Sequence, residues 1–151
     1  MSPIVIAAIV AAGVFLLVVV LATVRGLGAR ALAAADEILR GERLVLRDGS
    51  VNFFGVRSRG MGQVRGNGVL SLTDGRLHFL MWLPRRELSI PVRAISATET
   101  PESFLGKSVF RALLEVDFEN EAGEPDAAAW LVGDLPAWRD AVEQAAGIDE
   151  G

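Results

Sequence analysis

Residues Pro3 to Val24 are 22 consecutive positions without a charge, almost all Ala, Val, Ile, Leu or Phe. As a helix rising about 1.5 Å per residue the run measures roughly 33 Å, enough to cross the hydrocarbon core of a bilayer. The chain beyond it has the texture of a polar-surfaced globular domain, so the sequence predicts a small domain behind a transmembrane anchor. A cleaved secretory signal is the competing reading. Only Met1 and Ser2 precede the run, neither is charged, and the run exceeds the usual apolar region of a signal, although Ala31-Leu32-Ala33 or Ala33-Ala34-Ala35 could imitate a cleavage site. Length and flanks favour the anchor. Arg25 and Arg30 follow the run and no basic residue precedes it. The positive-inside rule therefore expects a single-pass protein of the cytoplasmic (inner) membrane, with the amino end outside and the carboxy-terminal domain in the cytoplasm.

Residues 1–24 are read as the anchor, 25–41 as a helical stalk, 42–147 as one domain and 148–151 as a short acidic tail. About 125 residues after the anchor suffice for one core. The chain has no Cys, which removes disulfides and thiolate-ligated metals. Arg outnumbers Lys fourteen to one, a codon bias that suggests a GC-rich bacterial genome. The net charge of −4 hides an asymmetry. From Arg40 to Arg93, ten arginines face four acidic residues, a balance of +6, whereas Ala94 to Gly151 carries −10. If the halves occupy different faces, the domain is a dipole with one side suited to anionic lipid or an acidic partner. Charges that merely solvate the surface are the plainer reading.

Ala29 to Arg40 is rich in helix formers and Gly41 suits a left-handed cap, so a juxtamembrane helix is expected, continuing the spanning helix and loosened at Gly26 and Gly28. Two β-prone runs, Leu44–Arg47 and Val51–Val56, flank a turn at Asp48-Gly49. Arg57 to Gly68 reads largely as loop or irregular strand. Val69 to Trp82 holds two alternating runs around Asp74-Gly75, the mark of a tight hairpin whose turn needs positive φ, with Leu70, Leu72, Leu77, Phe79 and Met81 facing the core and His78 outward. Leu88–Val92 and Ile95–Thr100 supply further strands. Phe110 to Glu119 alternates, with Ala112, Leu114, Val116 and Phe118 inward and Glu115, Asp117 and Glu119 outward, and Ala127–Val132 can pair with it. A closing helix has Asp134 as its cap, Pro136 in its first turn, an apolar stripe through Leu135, Trp138, Ala141, Val142 and Ala145, and Gly147 at its end. The expected fold is mainly β, a partly open barrel or sandwich of about seven antiparallel strands closed by that helix.

The stretch Gly68-Val69-Leu70-Ser71-Leu72-Thr73-Asp74-Gly75-Arg76-Leu77-His78-Phe79 resembles the strand–turn–strand hairpin of the pleckstrin-homology (PH) superfold, in particular its GRAM and bacterial PH-like branch. Glu87-Leu88-Ser89-Ile90-Pro91, the resumption at Ile95 and the Trp138 helix extend the likeness over residues 42–146. The whole chain also resembles short bacterial proteins made of one anchor and one such domain. The resemblance implies the fold and a tendency to bind phospholipid headgroups or peptides, and it supplies no activity. The chain lacks the Lys-x-Arg-type strand pair of phosphoinositide-binding members.

Two loops are candidate sites. Arg57, Arg59 and Arg65 lie in a glycine-rich segment where backbone N–H groups and guanidinium forks suit an anion. It is no dinucleotide fingerprint, because Arg65 occupies the third Gly position. An ordinary mobile connection is the bland alternative. In Trp82-Leu83-Pro84-Arg85-Arg86, Arg85 and Arg86 suit anionic headgroups while Trp82 and Leu83 suit the membrane interface, or else pack beneath the sheet edge. Gly106-Lys107-Ser108 fails as a phosphate-binding loop, since its first glycine falls at Pro101, and Lys107 is expected at the surface. His78 stands without a Cys or a second His, and the acidic run Glu115–Asp126 fits a solvated strand face, so no metal, cofactor or catalytic residue is expected. The sequence points to a non-catalytic binding or scaffold module meeting anionic phospholipid, and no nucleic-acid partner is expected. The alternative is a subunit that binds another membrane protein or a peptide through a strand edge or the anchor.

Overall fold

In the computed structural model, which describes residues 1–148, the apolar run opens a single helix, α1, Pro3–Ile38. The Ser2 hydroxyl caps it by accepting from the Ile4 N–H at 3.3 Å, and Pro3 fills the first turn. With 36 residues the helix is about 54 Å long. It is long and apolar enough to cross a membrane, and none of its most apolar stretch is buried against the rest of the chain. The loosening expected at Gly26 and Gly28 is absent: the helix passes through both. A Cβ at Gly28 would lie 3.2 Å from the Trp82 ring, so the small residue there permits close approach of helix to sheet. The chain leaves the helix after Leu39, with Gly41 at φ +84°.

Nine strands follow: β1 (Leu44–Val56), β2 (Gly66–Thr73), β3 (Arg76–Met81), β4 (Glu87–Pro91), β5 (Ile95–Glu99), β6 (Ser103–Phe104), β7 (Lys107–Ser108), β8 (Leu114–Glu119) and β9 (Pro125–Leu131). Seven make one antiparallel sheet in the order β4-β3-β2-β1-β9-β8-β5, and β6 and β7 form a small separate hairpin. Helix α2 (Leu135–Ala146) closes the fold. It packs on β5, β8, β1 and the 92–94 turn that joins the two edge strands, and it sinks Trp138 and Val142 into the core. Asp134 caps its start by accepting from the Ala137 N–H at 3.1 Å, and Gly147 ends it in the left-handed conformation.

Three local expectations are corrected. Asp48-Gly49 is a bulge within β1, not a turn: the register against β2 slips between Asp48 and Val51, and the Asp48 carboxylate accepts from the N–H groups of Ser50 and Gly133. Gly75 lies outside the positive-φ residues, because the Thr73 hydroxyl holds the hairpin turn by accepting from the N–H groups of Gly75 and Arg76. Phe110 and Ala112 do not belong to β8; Phe110 is 93% exposed at φ +57° and the strand starts at Leu114.

The inner face carries the main core, with Phe53, Phe79 and Trp130 in ring contact and Leu70, Leu72, Leu77, Met81, Leu114, Val116 and Phe118 among their neighbours. The outer face is covered as well. The β6–β7 segment lays Phe104 and Leu113 over Phe54, Ala127 and Ala129. The carboxy-terminal third of α1 lays Ala31 and Ala35 on Val69 and Leu80, with Ala34, Ile38 and Trp82 alongside. The two covers of the outer face, α1 over β3 and the β6–β7 segment over β8 and β9, explain two further corrections. His78, expected outward into solvent, is fully buried. Glu115, expected on a solvated face, is only 4% exposed; Asp126 is buried as well, on the other face, where it pairs with Phe118 and bonds Ser58. Of the expected acidic tail, Ile148 packs against the core and 149–151 lie outside the described residues.

Candidate functional site at the loop end of the sheet

The two loops singled out in the sequence sit at one end of the sheet. Gly68 pairs with Met81, and the Trp82 N–H donates to the Asn67 carbonyl at 2.9 Å, so the β1–β2 loop (57–65) and the β3–β4 loop (82–86) leave side by side. Helix α1 arrives at this same end. Gly28 meets Trp82, Ala31 and Ala35 meet Val69 and Leu80, and the Ile38 carbonyl accepts from Arg76 at the far hairpin turn. Gly28 lies four positions after Val24, the last of the apolar run, about 6 Å along the helix. The docked helix fixes the distance between that run and the loops.

The β1–β2 loop is pinned. It opens with a 3-10 turn, Arg57–Arg59, closed by Gly60 at φ +74°. Gln63 folds back so that its amide donates to the carbonyls of Val56 (2.6 Å) and Gly60 (2.5 Å) and its oxygen accepts from the Val56 N–H at 2.9 Å. The Ser58 N–H and hydroxyl both donate to Asp126. Burial pulls the Asp126 carboxyl upward, but these bonds and the Ala127 N–H outweigh it and hold its pKa below the ordinary value. Lys107, expected at the surface, is half-buried and donates to the carbonyls of Gln63 (2.9 Å) and Phe54 (3.4 Å).

The five arginines divide by role. Arg57 donates to the Glu115 carboxylate, stands 3.9 Å from Asp117 and lies over the Phe104 ring. Burial of Glu115 pushes its pKa up despite that guanidinium. Arg65 stacks on Phe54, 4.1 Å from the ring centre, and donates to Asn52 at 3.0 Å. Both fasten the loop. Arg59, Arg85 and Arg86 are exposed, and no ion pair among the described residues engages them. Trp82 is half-buried against α1, whereas Leu83 is 69% exposed. Met61 and Val64, which sequence reasoning missed, are exposed on the neighbouring loop at 70% and 53%. Their only signal was apolar character inside a glycine-rich loop. The acidic β8–β9 turn (Glu121, Glu124) opens at this same end, since Ala128 on β9 pairs with Val56 on β1, but on the side of β1 away from β2 and β3, where α1 docks. Among the described residues no group of three or more His, Cys, Asp or Glu could hold a metal ion.

No family model matches the chain. None of the curated proteins matches it either. Solved structures do. The C-terminal domain of an unknown protein from Leishmania infantum aligns at 16% identity and TM-score 0.57, covering 78% of this chain and 96% of that one. A chain of the 8S snRNP assembly intermediate aligns at 12% identity and TM-score 0.54, over 72% of this chain and 85% of that one. The DH/PH domains of PDZ-RhoGEF, in a complex with GTP-gamma-S-activated RhoA, align at 10% identity and TM-score 0.52, over 74% of this chain and 31% of that one. At such identities the likeness is one of fold, and the fold of this chain, a bent antiparallel sheet closed by a terminal helix, is PH-like.

Proposed function

We propose that this chain is a membrane-tethered, non-catalytic PH-like binding module, of the GRAM or bacterial kind, whose basic loop end rests on anionic phospholipid. Residues 1–24 form the anchor, 25–41 the docked stalk and 42–147 the module, which lies on the cytoplasmic side. The observation that carries the reading is the unbroken helix docked on the sheet: Gly28, about 6 Å along the helix from the end of the apolar run, meets Trp82 at the loop end. Among the described residues Arg59, Arg85 and Arg86 have no carboxylate partners, and Met61, Val64 and Leu83 offer apolar side chains to the interface. The buried positions of Ala31 and Ala35 favour an uncleaved anchor, because cleavage after Ala33 or Ala35 would strip part of the cover from Val69 and Leu80. An arginine near an anionic surface contributes about 1 kcal/mol, fading within a Debye length of about 8 Å.

The chain has no native Cys, so single labels report one position each. With the full chain in nanodiscs, a polarity-sensitive label on Leu83→Cys should report a lipid environment when phosphatidylserine is present. One on Gly75→Cys, at the far turn where a side chain meets nothing, should report water. Replacing Arg59, Arg85 and Arg86 together by Ala should remove about 3 kcal/mol of surface attraction and abolish the phosphatidylserine and salt dependence at position 83. Equal water exposure at positions 83 and 75 would sink the proposal.

A further inference from the structure

The underside of α1 is polar where the sheet's outer face meets its last turns. Arg47 on β1, largely covered, reaches across to the Ser71 hydroxyl at 3.0 Å and pairs with Asp36 on α1. Arg76 on β3 donates to the Ile38 carbonyl at 3.3 Å and to Glu42 at 2.5 Å, and Glu42 accepts from Thr73. His78 sits between these clamps. Along β3 it falls between Leu80, which lies under Ala31 and Ala35, and Arg76, which holds Ile38. It is wholly buried, its neighbours across the strands are Ser71 and Ser89, and its Nε2 lies 2.9 Å from a Glu87 oxygen on β4. Its Nδ1 is buried with no hydrogen-bond partner among the described residues.

We infer that His78 and Glu87 form a proton-sensitive latch beneath α1, whose protonation releases residues 26–38 from the sheet. The neutral ring can donate from Nε2 to Glu87 and leave only a lone pair unmet at Nδ1. The imidazolium adds an N–H at Nδ1 with no acceptor and a second positive charge beside Arg76, on the face that also carries Arg47. Glu87 from β4, Glu42 from the connection and Asp36 from α1 are the opposing charges, and Glu42 and Asp36 are already engaged by Arg76 and Arg47. Burial is the largest influence on His78 and holds its pKa below the ordinary 6.5 in the docked state, against the raising effect of Glu87. The docked state therefore binds fewer protons than the released one. Docking has its full strength above about pH 6.5 and weakens as the pH falls from there through the docked pKa. The latch stands independently of any lipid contact.

Spin labels on Ala33→Cys in α1 and Arg93→Cys beyond β4, in the full chain in detergent micelles, measure the docking. A narrow distance distribution at pH 7.5 should broaden at pH 5, while a pair inside the sheet domain, Ser96→Cys with Glu121→Cys, stays unchanged. His78→Gln should abolish the broadening. Glu87→Gln, at a half-exposed position, should move the midpoint to higher pH, because the docked imidazolium loses the carboxylate that favours it while the released ring keeps its ordinary affinity for the proton. A distribution that ignores pH, a midpoint that ignores Glu87→Gln, or simultaneous broadening of both label pairs overturns the latch.

Discussion

Trp130→Ala is expected to cost about 3–5 kcal/mol of stability and to lower the melting temperature by about 10 °C or more. Trp130 is completely buried on β9, directly opposite Phe53 on β1, with ring centres 5.7 Å apart. Phe79 on β3 closes the group, 6.0 Å from Trp130 and 4.7 Å from Phe53. The three rings join strands from both halves of the bent sheet, and a close-packed interior cannot fill an indole-sized void by small shifts. Folded domains hold only about 5–15 kcal/mol in reserve, so the loss is a large share of the whole. Trp130→Phe should cost clearly less, because the indole Nε1 is buried without a partner among the described residues and its removal relieves that penalty. Urea unfolding of the full chain in micelles, followed by near-ultraviolet circular dichroism, separates the two. Equal losses for Ala and Phe would mean that ring volume at this position does not hold the sheet together.

The elements with strong local rules were legible in the sequence. A charge-free run of this length leaves little choice but helix, and Asp134 with Gly147 marked the ends of α2 as they stand. Alternation through Val69–Trp82 correctly divided Leu70, Leu72, Leu77, Phe79 and Met81 from the opposite set. What alternation cannot show is whether the opposite face is also covered. Ser71, Thr73 and His78 look like a solvated face, yet α1 lies over it, and α1 hides this because its contact side is Gly28, Ala31 and Ala35. Small side chains produce almost no hydrophobic periodicity, although they are what lets a helix approach a sheet closely. For the same reason the loop arginines could be listed from sequence but not sorted. The stacking of Arg65 on Phe54 and the pairing of Arg57 with Glu115 depend on strands that meet only in three dimensions.

Gly68→Ala should destabilise the domain by about 3 kcal/mol, near the upper end of the cost of overpacking, whereas Gly66→Ala two residues earlier should cost under about 1 kcal/mol. Gly68 pairs with Met81 on one side and with Val51 on the other, at the centre of the sheet. A Cβ there would lie 2.3 Å from the Phe79 ring and 2.5 Å from the Leu80 carbonyl oxygen. The ring cannot swing aside, since Phe53 and Trp130 hold it, and the carbonyl is backbone of the neighbouring strand. Gly68 has no positive φ, so the penalty is steric alone. At Gly66 the nearest obstacle is the Met81 sulfur at 2.9 Å, part of a flexible side chain that can turn away. The clash at Gly68 forces β2 and β3 apart beside Val69 and Leu80, the residues on which α1 docks. Gly68→Ala should therefore also broaden the Ala33–Arg93 label distance at neutral pH, an effect that Gly66→Ala lacks. Matching stabilities and matching distances for the two variants would show that helix docking does not depend on the close approach of β2 to β3.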